Sequence, residues 1–143
     1  MTSRFASPWE SPGFLLWHAT LRWQRAMRAA LAPHGLTHVQ FVLLAAAWWL
    51  GEHEAPPSQR RLAEQAGTDV MMTSQVVRAL EREGLVERPR DPHDARALRV
   101  SVTVAGRERV QAALAGVEAA DAEFFSPVDD GAIVRDLRAL LAL

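Results

Sequence analysis

The chain has 143 residues, 49% hydrophobic and 23% charged, with a formal net charge of −1 and no cysteine. That length supports one domain with a core, and the missing cysteines exclude disulfides, thiolate metal sites and a thiol switch. The first twelve residues hold no apolar leader, and the apolar run Phe41 to Leu50 is far short of the ~20 residues of a membrane span, so a cytoplasmic protein without a membrane partner is expected.

The first helix is expected from about Pro12–Phe14 to Leu31, ended by Pro33 and Gly35. Leu16, Thr20, Trp23, Met27 and Leu31 recur at helical spacing, and Phe14, Trp17 and Leu21 form a second stripe. Two stripes predict burial on more than one side. Thr37 and Gln40 form a capping-box pair, with Leu36 and Phe41 placed as a hydrophobic staple. Val39 to Leu50 is almost wholly apolar, which predicts a central helix buried all round.

Ser58 can cap a short helix over Gln59–Ala66, broken by Gly67, and Asp69 a further helix to Glu83, stopped by Gly84. Two short helices joined by a tight glycine turn are a helix-turn-helix pattern. Leu85–Arg88 reads as a strand and Arg90–Asp94 as a turn; Leu98, Val100, Val102 and Val104 then alternate with polar residues as a second strand. This hairpin is a wing. Thr103 caps a long helix ended by Pro127, and a last helix spans about Asp129 to Ala142 with Ile133, Leu137, Leu140 and Leu141 on one stripe. The fold class is mainly α with a small β-hairpin: a winged helix-turn-helix flanked by N- and C-terminal helices.

Several strings along this order carry a resemblance. They are Leu36-Thr37 with Gln40-Phe41, Leu62-Ala63-Glu64 before Gly67, Leu80-Glu81 with Gly84-Leu85-Val86, Arg90-Asp91-Pro92 with Asp94 and Arg96, and Val102-Thr103 with Gly106. Over roughly residues 14 to 143 the chain resembles the MarR family of bacterial regulators. The resemblance implies a single domain over 1–143, with dimerisation helices at about 13–32 and 104–143 and a DNA-binding part at about 37–103. It further implies a homodimer on a pseudo-palindromic operator in double-stranded DNA, with recognition helices in major grooves and wing arginines in flanking minor grooves. A small aromatic acid effector, bound between the dimer and DNA-binding parts and relieving repression, is also implied.

In the recognition helix the period turns Thr73, Val76, Val77 and Leu80 inward and leaves Val70, Met71, Met72, Ser74, Gln75 and Arg78 outward. Gln75 suits adenine, and Arg78 suits guanine or phosphate. Met71 and Met72 stand where the family usually has small hydroxyl residues; thymine methyl contact and core packing are both open to them. Asp94 and Arg96 match positions where, in the family, the acid buttresses a minor-groove arginine; a surface ion pair is the bland alternative. Arg90 and His93 are further groove or phosphate candidates, as are Ser58, Arg60 and Arg61 at the first short helix. Residues 88–99 carry Arg88, Arg90, Arg96 and Arg99 against Asp91 and Asp94, a local charge of +2 on a neutral chain.

Trp17, His18, Arg22, His38 and Trp48 are the ligand candidates, with Arg22 pairing a carboxylate; core and dimer packing is the competing use of these aromatics. His34, His38 and His53 raise metal binding, but Pro33 and Gly35 break the helix between the first two, and no metal or cofactor is expected. No phosphate-cradling loop, nucleophile motif or zinc-hydrolase spacing is present, so the reading is non-enzymatic. The alternative to a DNA-binding repressor is a winged-helix dimer that serves as a protein-interaction module without DNA.

Overall fold

The computed structural model describes residues 2–94 and 96–143. Helix α1 (Pro12–Leu31) gives way to a 3-10 turn at Ala32–His34, and Gly35 then turns the chain into α2 (His38–His53). The expected capping box is formed: Thr37 Oγ1 accepts the Gln40 N–H at 3.2 Å, and Gln40 Oε1 accepts the Thr37 N–H at 3.0 Å. The staple residues Leu36 and Phe41 are both buried.

Helix α2 buries Phe41, Leu43, Leu44, Ala47 and Leu50 and packs against α3 (Gln59–Ala66), α4 (Val70–Arg82) and strand β2 (Ser101–Val102). It is not buried all round, as its composition predicted. Trp49 is exposed and stacks on His53 one turn later, with ring centroids 4.4 Å apart. Ser58 caps α3 by accepting the Arg61 N–H, and Gly67 then reverses the chain at φ 69°, a left-handed value that a side chain disfavours. Asp69 caps α4 through the Met72 N–H at 2.7 Å.

Strand β1 (Val86–Glu87) pairs antiparallel with β2 in the register Val86 to Val102 and Glu87 to Ser101. The regular ladder is shorter than the alternation predicted, because Thr103 turns the chain early. Its N–H donates to the Leu85 carbonyl, its hydroxyl donates to the Gly84 carbonyl at 2.7 Å, and Oγ1 accepts the Gly106 N–H at 3.1 Å. Val104 therefore opens helix α5 (Val104–Phe125) and is exposed. Isolated bridges extend the wing at Arg90 to Leu98 and at Ser58 to Arg99, and the Val100 N–H donates to the Pro57 carbonyl at 2.7 Å. The segment before α3 thus bridges to the wing through Pro57 and Ser58.

Asp129 caps the last helix, α6 (Asp130–Leu140). The chain divides into two compact units: one drawn from its two ends, up to Ala30 and from Gly116 onward, and one comprising Leu31–Ala115. The second contains α2, α3, α4 and the wing. In the first, the Trp23 indole N–H donates to Asp121 Oδ1 at 2.7 Å, so the indole has its polar partner. The second stripe of α1 is not buried as expected: Trp17 is 63% exposed and Leu21 is exposed too. The apolar residues Leu137, Leu140 and Leu141 are exposed as well. Among the described residues no single helix is long and apolar enough to cross a membrane.

Candidate nucleic-acid interface

Helix α4 is held by one face. Thr73, Val77 and Leu80 are buried, and the Thr73 hydroxyl donates to the Asp69 carbonyl at 2.8 Å while lying 2.7 Å from the Thr68 hydroxyl. Those bonds satisfy a polar group that would otherwise be costly to bury. The opposite face carries Met71, Met72, Gln75 and Arg78, all exposed, with Ser74 half-buried beside them. Core packing is thereby removed as a role for the two methionines: Met71 is 75% and Met72 42% exposed.

The wing arginines divide into two kinds. Arg88 grips Glu81 in a bidentate pair, Nε to Oε2 and Nη2 to Oε1, both at 3.0 Å. That hydrogen bonding holds the Glu81 carboxyl below its ordinary range. Arg99 pairs with Asp91 Oδ2 at 2.9 and 3.0 Å and reaches the Pro56 carbonyl with Nη1 at 2.7 Å. Asp91 is also held low, first by the His93 N–H at 2.7 Å and then by the Arg99 charge. These two arginines brace the wing.

Asp94 does not buttress the Arg96 guanidinium, as the family pattern implied. Its Oδ1 accepts the Arg96 backbone N–H at 3.0 Å, shaping the turn. Among the described residues the Arg96 side chain makes no ion pair, and it is exposed together with Arg90 and His93. The buttressing acid of the wing is Asp91, and its arginine is Arg99. At α3, Arg60 pairs with Glu64 at 3.3 Å, and Arg61 with Glu54 at 2.8 Å and Gln65 at 3.2 Å. Arg61 is raised above its ordinary value, chiefly by the hydrogen bond to Glu54.

The ligand candidates lie in both units: Trp17, His18 and Arg22 on α1 in the first, His38 and Trp48 on α2 in the second. His18 packs against Trp9 and Phe14, with centroids 4.9 and 4.5 Å away. Trp9 belongs to a 3-10 turn, Pro8–Glu10, capped by Ser7, and the Ser-Pro pair was its overlooked sequence signal. Arg22 lines a cavity of about 550 Å³ with Ala26, Ala30, Gly116, Ala120 and Phe124. Trp48 instead shares an open pocket of about 410 Å³ with Arg107, a residue that sequence reasoning passed over. Arg107 also lies 3.8 Å from Glu52. Among the described residues no three His, Asp or Glu side chains converge as a metal site.

A capped helix pair, a glycine turn and a hairpin braced behind the second helix define a winged helix-turn-helix. The MarR family profile matches residues 36–98. The HTH-type transcriptional regulator YdcH of Bacillus subtilis is 48% identical over 124 residues, covering 87% of this chain and 84% of that one. CouR from Rhodococcus jostii RHA1, solved bound to p-coumaroyl-CoA, superposes with a TM-score of 0.83 at 31% identity, over 96% of this chain and 93% of that one. MosR of Mycobacterium tuberculosis, solved in complex with DNA, gives 0.77 at 27% identity, over 91% and 92%. The chain belongs to the MarR family, and it is a DNA-binding transcriptional regulator.

Proposed function

We propose that two copies of this chain bind an operator as a homodimeric repressor, with α4 in the major groove and the wing tip in the adjacent minor groove. The observation that carries this reading is the exposed face of α4, Met71, Met72, Gln75 and Arg78, joined to a wing whose Arg96 side chain is left without an ion pair. Gln75 offers the bidentate amide that reads adenine, a contact worth about 1–3 kcal/mol of discrimination. Arg96 carries the unpaired cation that a narrow minor groove attracts. Ser58, Arg60, Arg61, Arg90 and His93 supply phosphate contacts around them, and Asp94 sets the turn that aims Arg96.

The exposed leucines of α6 and the exposed stripe of α1 serve the partner copy, consistent with apolar faces that this chain leaves uncovered. The effector is an aromatic acid, with Arg22 as its carboxylate partner; the salicylic acid complex of Rv2887 from Mycobacterium tuberculosis, 30% identical to this chain, supports a ligand of that class. The protein acts by binding alone, in the cytoplasm, and catalyses no reaction. Fluorescence anisotropy on duplex DNA from the upstream region, at several salt concentrations beside a scrambled duplex, tests the first claim. Tight, salt-steep, sequence-selective binding is expected. An absence of binding at low salt would instead favour the protein-interaction module. Quenching of tryptophan fluorescence by an aromatic carboxylate, abolished by Arg22→Ala, tests the effector.

A further inference from the structure

Four methionines occur in the sequence, and no cysteine. Met27 is 1% exposed, in the core, whereas Met71 and Met72 sit side by side in the first turn of α4. Beside them Val70 is exposed as well, so the leading edge of this helix is apolar and open. In a chain without thiols, these two thioethers are the accessible soft nucleophiles among the described residues, on the face read here as facing DNA.

We propose that Met71 and Met72 form an oxidation-sensitive modification site that releases the protein from DNA when either thioether becomes a sulfoxide. The inference rests on the reading that α4 enters the major groove. The oxidant is a peroxide. A lone pair on Sδ attacks one peroxide oxygen, the S–O bond forms and the O–O bond breaks. The proton left on the new S–OH passes to the departing hydroxide, which leaves as water. Sulfur is oxidised by two electrons and the peroxide is reduced by the same two.

The consequence follows from polarity. A thioether is a weak acceptor that packs against thymine methyl groups; a sulfoxide is a strong, chiral acceptor. Where a thioether packs on a thymine methyl, a sulfoxide oxygen finds no donor, and the neighbouring phosphates and the O4, N7 and O6 positions are acceptors too; only the amino groups of adenine and cytosine could pair with it. Acceptor facing acceptor is unpaired and repulsive. Burial protects Met27, so the reaction changes the DNA-reading face before it disturbs the core. The first turn of α4 stays capped by Asp69, whose carboxylate holds the Met72 N–H rather than its side chain. Loss of DNA binding therefore does not require unfolding.

The experiment uses the full chain and a duplex enriched from a randomised pool by the unoxidised protein. Failure of that enrichment would remove the DNA-binding reading itself. With a duplex in hand, the protein is treated with hydrogen peroxide, sulfoxides are mapped by mass spectrometry, and affinity is measured by anisotropy. Sulfoxide at Met71 and Met72 ahead of Met27 is expected, with at least a tenfold loss of affinity that reduction by the two methionine sulfoxide reductases restores. The Met71→Leu/Met72→Leu protein is compared only with its own untreated sample, so a changed starting affinity drops out; its ratio should stay near one. Full sulfoxide at both residues with unchanged wild-type affinity would overturn the proposal. So would an equal loss in the leucine variant, or oxidation of Met27 as fast as the pair.

Discussion

Two glycines in helices give opposite answers to the same substitution. A Cβ built on Gly106 in α5 would fall deep inside contact distance of the Leu85 carbonyl oxygen and 2.8 Å from Val102 Cγ1. The nearer neighbour cannot swing away: Leu85 offers backbone, and that carbonyl also accepts the Thr103 N–H. Gly106→Ala must therefore push α5 off the wing base and strain the Thr103 bonds to Gly84 and Gly106. Overpacking against backbone costs about 3 kcal/mol, the top of the usual range, and the helix propensity of alanine returns roughly 1 kcal/mol. The net is a loss of about 2 kcal/mol, which lowers Tm by about 4–8 °C for a chain of this size. Gly51 in α2 has nothing within 4 Å of its added Cβ, so Gly51→Ala gains about 0.5–1 kcal/mol from propensity alone. Both are read by thermal and urea unfolding at one protomer concentration, because dimerisation shifts apparent stability. A Gly106→Ala protein as stable as wild type would refute the close approach of α5 to Leu85.

Arg96→Ala should weaken operator binding more than tenfold without changing Tm, since among the described residues its side chain makes no ion pair; unchanged affinity on a titration would remove it from the minor groove. Asp91 sits below its ordinary value of 3.8, so its stabilisation of the wing is complete above that value and is lost as pH falls below it, through the lower folded value. Hydrogen-exchange protection factors at the wing amides, corrected for the intrinsic pH dependence of exchange, should hold from pH 7 to about 5 and fall below about 4; Asp91→Asn should already have low protection at pH 7, and a wing insensitive to both would sink the Arg99 brace. Trp23→Phe removes the donor to the Asp121 carboxylate and should cost about 1–2 kcal/mol at this half-buried site, measured by urea unfolding. An unaffected midpoint would mean that the bond is replaced by water.

Much of this protein is legible because its local signals agree. Thr37 with Gln40, Ser58, Asp69 and Asp129 each cap a helix through their own side chains, so the helix starts could be read one residue at a time. What escaped was the choice of partner. Composition says that Phe41 to Leu50 is apolar, but it cannot say that Trp49 will find His53 instead of the core. Nor can spacing tell that Asp91, eight residues before Arg99, is its partner while the nearer Asp94 binds a backbone N–H. The pairing of Val100 with Pro57 spans the whole helix-turn-helix and leaves no periodic trace.

The division of labour among the wing arginines bears on how a chain of net charge −1 can act on DNA. Residues 88–99 carry a local excess of positive charge compatible with DNA binding. In the structure Arg88 is neutralised by Glu81 and Arg99 by Asp91, so half of those cations hold the wing in place and contribute little attraction at range. Their loss as free charges weakens binding to arbitrary DNA, which depends on phosphate neutralisation. Arg96, on a braced hairpin, keeps an exposed guanidinium with no ion pair among the described residues, while the recognition helix presents one amide and an apolar edge. A regulator built this way gains little from charge alone. On the proposed reading its affinity comes from positions at which Gln75, the two methionines and Arg96 all fit together, and that requirement would separate an operator from the rest of the genome.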